Sequence, residues 1–191
     1  MANVDAPFGF RPIMTHGSTW TGNSVSCVLA TSNGVATFIG DVVRLEGGED
    51  TTDGISRPTI DQIAATEVDV YGVIVGFEPN YADLTVKHRT ASTRRVARVV
   101  EALPGVIFEA QLDEAWTAGD IGLNADIVVG SGSTSTGRSA MEIDNPAAGA
   151  ATLKVINASK VVGQTLDTSA AGTIAHVLMN ETIYGAGVDG A

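Results

Sequence analysis

The sequence predicts a mainly β protein: an antiparallel β-barrel or sandwich with an extended N-terminal arm and few short helices. Three observations carry that expectation. Short apolar runs recur between frequent turn signals, the pattern of a sandwich or barrel and not of βαβ units. Charged residues are only 17% of the 191, against roughly 25% in ordinary globular proteins. Gly, Ala, Ser, Thr and Val take their place, which suits strands with small side chains better than helical bundles. Hydrophobic residues reach 44%, which excludes a disordered chain. That length and composition supply a core without staples.

Residues 1–24 read as the arm. The segment Ala6-Pro7-Phe8-Gly9-Phe10-Arg11-Pro12-Ile13 holds two prolines that fix φ and remove amide donors, so no regular helix fits. Phe8, Phe10 and Trp20 are three of the ten aromatics. An extended segment cannot bury such side chains on itself, so they pack on the body of this chain or on another chain. Residues 25–185 form the β-rich domain. Runs 25–31 and 35–39 flank Ser32-Asn33-Gly34, the signal of a tight hairpin. A further strand at 42–45 precedes a polar loop at 46–54. Residues 60–65 fit a single helical turn.

The run 70–77 reads as a buried strand whose glycines mark a bulge or a close backbone approach. Strands at 94–100 and 106–112 flank the Pro104-Gly105 turn signal. In the second of them Val106, Phe108, Ala110 and Leu112 share one face, with Glu109 and Gln111 on the other. Residues 113–118 are helix-compatible, and 130–137, rich in Gly, Ser and Thr, have the composition of a flexible hairpin tip or linker. Strands follow at 153–156, 161–162 and 174–184. Residues 186–191 are expected to form a flexible tail.

Charge excludes one class of function. With 22 acidic and 11 basic residues the net charge is −11, which repels phosphates and argues against nucleic acid as a partner. The N-terminus lacks the pattern of a signal peptide, and the longest apolar run is far too short to span a bilayer. A soluble, cytoplasmically made protein without a membrane partner is expected. Its single cysteine, Cys27, sits in an apolar run and reads as a small buried side chain.

No convincing catalytic, cofactor or metal residues emerge. Residues 132–139 have the glycine spacing of a phosphate loop, but Arg138 stands where lysine is needed and a proline soon follows. Glu49, Asp50 and Asp53 lack the ligand spacing of an EF-hand. His16, His88 and His176 have no metal-site spacing, and no Gly-x-Ser-x-Gly elbow supports a triad.

Basic charge is concentrated. Lys87, Arg89, Arg94, Arg95 and Arg98 are five of the eleven basic residues within twelve positions. Arginine suits bidentate pairing with carboxylates at interfaces, so Arg94, Arg95 and Arg98 are candidates for an oligomer or capsid contact. Pairing with acids of their own chain is the alternative.

Three stretches carry a resemblance: Ala2-Asn3-Val4-Asp5-Ala6-Pro7-Phe8-Gly9-Phe10-Arg11-Pro12, Gly72-Val73-Ile74-Val75-Gly76-Phe77-Glu78-Pro79, and residues 122–139. Together they resemble the capsid decoration, or cement, proteins of tailed bacteriophages. That resemblance implies a non-enzymatic, β-rich virion protein, made in the host cytoplasm and bound to the capsid exterior. It implies a homotrimer whose other partner is the major capsid protein, and no cofactor. On this reading Phe8, Phe10, Arg11 and Trp20 of the arm are the expected inter-subunit contacts. Another virion component, such as a tail-tube or head–tail connector protein, and a small β-fold ligand-binding or enzymatic module are the rival expectations.

Overall fold

The computed structural model describes residues 4–15, 17–65, 68–159 and 170–185. Thirteen strands are present among them: β1 (Arg11–Thr15), β2 (Ser18–Thr19), β3 (Val25–Leu29), β4 (Val42–Asp50), β5 (Arg57–Gln62), β6 (Gly72–Phe77), β7 (Arg95–Glu101), β8 (Val106–Gln111), β9 (Asn124–Ala125), β10 (Ile127–Val128), β11 (Glu142–Ile143), β12 (Leu153–Ala158) and β13 (Ile174–Met179). One 3-10 turn, Ala118–Asp120, is the helical content of the described residues. The expected mainly β fold is what forms.

Strands β3 to β7 close a barrel in the order β3-β5-β4-β6-β7. Every pairing in it is antiparallel except β3 with β5, which run parallel through Val28 and Thr59. An antiparallel six-stranded sheet, β2-β1-β8-β13-β12-β9, takes the rest apart from the β10–β11 ribbon. Alternation within the barrel strands gives each layer its contact. Cys27, Leu29, Val43, Ile60, Ile74, Ala97 and Val99 form one cluster inside the barrel. Val42, Val73 and Val100, of opposite parity, join Phe108, Leu112, Val155 and Val177 of the sheet in the larger core.

Local chemistry explains the close passages. A Cβ at Gly72 would collide with the Val100 carbonyl, and the register of β6 against β7 shifts between Ile74 and Gly76. Both expected roles of these glycines, close approach and bulge, are therefore present. Pro104-Gly105 turns the chain as expected, but β7 and β8 do not pair with each other. The turn leads from barrel to sheet, with Gly105 at φ 91°.

Several local expectations are corrected. Residues 35–39 form no strand, because Asn33 closes its own turn: its Oδ1 accepts from the Val35 amide at 2.9 Å. The polar segment 46–54 is in large part strand, with β4 continuing to Asp50 through an irregularity between Leu45 and Glu49. Residues 60–62 belong to β5 and not to a helical turn, since Ile60 fills the barrel. The helical turn near 113–118 falls instead at Ala118–Asp120, where Asp120 accepts from the amide and hydroxyl of Thr117. The segment 130–137 takes the expected hairpin-tip form, closed by Ser133 and Arg138, with Gly132 against Phe38 and Gly137 against Lys87. The strand expected at 161–162 and the tail 186–191 lie outside the described residues.

Candidate interaction surface

The sequence-predicted arginines meet at one end of the barrel. Residues 78–88 leave β6 and return toward β7, opposite the β4–β5 hairpin tip. A cleft of about 500 Å³ opens between them, lined among others by Asp53, Glu78, Tyr81, Thr93 and Arg94.

Each arginine there is held by its own chain. Arg94 grips Asp50 with two bonds, Nε to Oδ2 at 3.0 Å and Nη2 to Oδ1 at 2.6 Å. Those bonds hold the Asp50 carboxyl well below the usual carboxylate range. Asp53 lies 3.7 Å from Arg94 and accepts from Arg57 Nη1 at 2.6 Å. Arg95 donates to the carbonyls of Glu78 (3.1 Å), Val86 (3.1 Å) and His88 while lying over the Phe77 ring. Arg98 reaches Glu78 Oε1 at 3.4 Å. Pairing with acids of their own chain, the alternative reading of this cluster, thus holds for Arg94 and Arg98, while Arg95 is held by backbone carbonyls.

What they support is a shaped loop. Asn80 and Asp83 close turns onto the amides of Ala82 and Thr85 at 3.1 and 2.9 Å, a habit of Asx residues. Between them the loop presents Tyr81, 90% exposed, and Leu84, 75% exposed. Ile55 of the facing hairpin is also exposed. Large apolar side chains in water, beside arginines and a cleft, have the composition of a protein-binding patch. The sequence reading missed Tyr81 and Leu84. Two apolar residues set among the turn formers Asn80 and Asp83 were the available signal.

The arm residues lie elsewhere. Strand β1 pairs with β8 in the six-stranded sheet, so residues 11–15 pack on the body of their own chain. Phe10 is 2% exposed and belongs to the main core, out of reach of any partner. Arg11 pairs with Glu109 and lies 4.6 Å from the Phe8 ring centroid. Trp20 is half-buried against the core, its Nε1 donating to Asn23 O at 3.2 Å. Arm and arginines therefore belong to different layers. The covered β8 face also explains why Glu109 and Gln111, expected to point outward, are buried.

Elsewhere among the described residues, Ser159 and His176 both approach Glu109 Oε2, at 3.5 and 4.0 Å. Cys27 is buried as expected, its thiol pushed up to about 11 chiefly by burial, which keeps it protonated and unreactive near neutrality. Among the described residues no group of three His, Cys, Asp or Glu side chains could hold a metal ion, and no helix is long and apolar enough to cross a membrane. Comparison with family models, curated proteins and solved structures found no match to this chain.

Proposed function

We propose that the chain is a non-enzymatic virion structural protein that binds the outside of a phage capsid and cements neighbouring capsomers as a homotrimer. The observation that carries this reading is the preformed tip bearing Tyr81 and Leu84, buttressed by Arg94, Arg95 and Arg98. Aromatic anchors on a rigid support give binding energy at low ordering cost. The charged groups lining the cleft are engaged within their own chain, which suits a docking surface better than a reaction centre. Many copies on a closed lattice add avidity, so each contact can be weak. The sequence resemblance to decoration proteins points the same way.

The test is Tyr81→Ser combined with Leu84→Ser. Both side chains are exposed, so the thermal midpoint is expected to stay unchanged while co-sedimentation with assembled heads weakens at least about tenfold. Wild-type protein is expected to have the native mass of a trimer. Equal binding by the double variant would overturn the role of the tip. Wild-type protein that ignores heads, or forms rings of higher order, would overturn the cement reading itself. Deleting residues 2–20 would be a poorer test, because it removes β1 and Phe10 from the core.

A further inference from the structure

At the start of the described chain, one side chain fastens the arm. Gln111, at the end of β8, donates from Nε2 to the Val4 carbonyl at 2.7 Å and accepts from the Ala6 amide at 3.0 Å. The two bonds bracket Asp5. Nε2 also donates to the Gly172 carbonyl at 2.9 Å, so the clamp is fixed from behind.

Beside the clamp stand carboxylates. Leu112 and Ile143 form a bridge, and the Asp113 amide donates to the Ile143 carbonyl at 3.1 Å. This sets Asp113 next to Glu142 and Asp144. Glu142 Oε1 and Asp113 Oδ1 are both shielded from water without a hydrogen-bond partner. Asp5 from the arm, Glu114 from the β8 side and Asp144 from the β11 side are the charges that act on the pair. Asp126, whose carbonyl accepts from the Asp144 amide, has its carboxyl beside Thr152. Arg11, the arm's basic residue, is engaged with Glu109. Like charges gathered around a partly buried carboxyl favour its protonated form.

We propose that this carboxylate cluster makes attachment of the arm pH-dependent, with the segment around Asp5 clamped at mildly acidic pH and released as pH rises past neutrality. The device is independent of the capsid reading. Burial first, then Asp5 and Asp113, raise the Glu142 carboxyl to about 7. Asp113 moves in the same direction, with burial again the leading cause. Near pH 5.5 Glu142 carries a proton and Asp5 faces a neutral neighbour. At pH 8.5 Glu142 is charged, and Asp5, exposed and carried on the arm, is the member able to leave.

The experiment measures hydrogen-exchange protection of the Ala6 amide, corrected for intrinsic rate, at pH 5.5 and 8.5. Wild-type protection is expected to fall about tenfold across that range, the equivalent of one pK unit of coupling. Glu142→Gln, which keeps the shape without the charge, is expected to abolish most of the fall. Asp113→Asn is expected to act in the same direction should the first variant fold poorly. Protection that does not change with pH in wild type, or that falls equally in both variants, would overturn the proposal. Loss of head binding by the Tyr81 and Leu84 variants would leave this result untouched.

Discussion

Arg89 shows how a residue that looks like surface charge can be part of the interior. It is fully buried, and its guanidinium donates to the carbonyls of Ala30, Asn33, Val35 and Thr93. Asn33 Oδ1, at 3.3 Å, completes the set. These acceptors come from residues 30–35, the segment that fails to form a hairpin, and from the approach to β7. One fork of donors replaces the ladder that two strands would have supplied. Arg89→Met is expected to cost about 3 kcal/mol or more, because several buried carbonyls lose their donor together. Arg89→Lys should recover little of it, since a compact ammonium cannot reach a planar array of acceptors. Urea denaturation of both variants checks this. Near-wild-type stability of the lysine variant would mean that charge, not the fork, is what matters.

Among the elements, β1 decides how the N-terminal segment is understood. Two prolines and exposed-looking aromatics suggested an arm, and both own-chain and partner-chain packing satisfied that pattern. Pro12 lies in β1, whose pairing with β8 shifts register between Pro12 and Met14. Phe10, just before β1, sits under the sheet in the shared core. Phe10→Ala is therefore expected to destabilise the isolated protein by about 3–5 kcal/mol, read from denaturant midpoints at low concentration. A loss below about 1 kcal/mol would show that the segment contributes nothing to its own domain. Legibility followed the range of the signal. Alternation in β8 and the glycines of β6 are local, and both were readable. That β3 lies beside β5 in parallel, or that β7 and β8 part into different layers, depends on pairings across the chain that no short window contains. The arginine cluster was visible as composition, but its carbonyl and carboxylate partners come from Asp50, Glu78 and residues 86–88, and only folding brings them together. Tyr81 and Leu84 are legible as residue types, but their exposure follows from the fold and from no local pattern.

Over the whole molecule, titration sets the working range. Asp41 is fully buried, its Oδ2 accepting from the Phe38 amide and Gln62 Nε2 at 2.8 Å each. Burial outweighs those bonds and raises its carboxyl to about 6. Glu142 is raised to about 7, and Asp113 and Glu181 shift the same way, each led by burial. A carboxyl raised on folding holds its proton better in the native state than in the unfolded chain. Its stabilisation is complete below the unfolded value near 4 and is lost as pH climbs through the folded value. Asp50, lowered by its bonds to Arg94, acts oppositely: its contribution exists above about pH 4 and fades below it. Asp53 and Asp83 are also lowered, but both are solvated and count for little. The net charge of −11 adds self-repulsion that grows with pH. His88, lowered chiefly by burial, gains stability as pH rises toward its unfolded value of 6.5 and offsets part of the carboxyl loss below it. The thermal midpoint is expected to decline from about pH 6.5 to 8, and Glu142→Gln should flatten that decline. A midpoint at pH 8 equal to or above that at pH 6.5 would mean that the buried carboxylates relax into solvent on ionisation and exert no control over the fold.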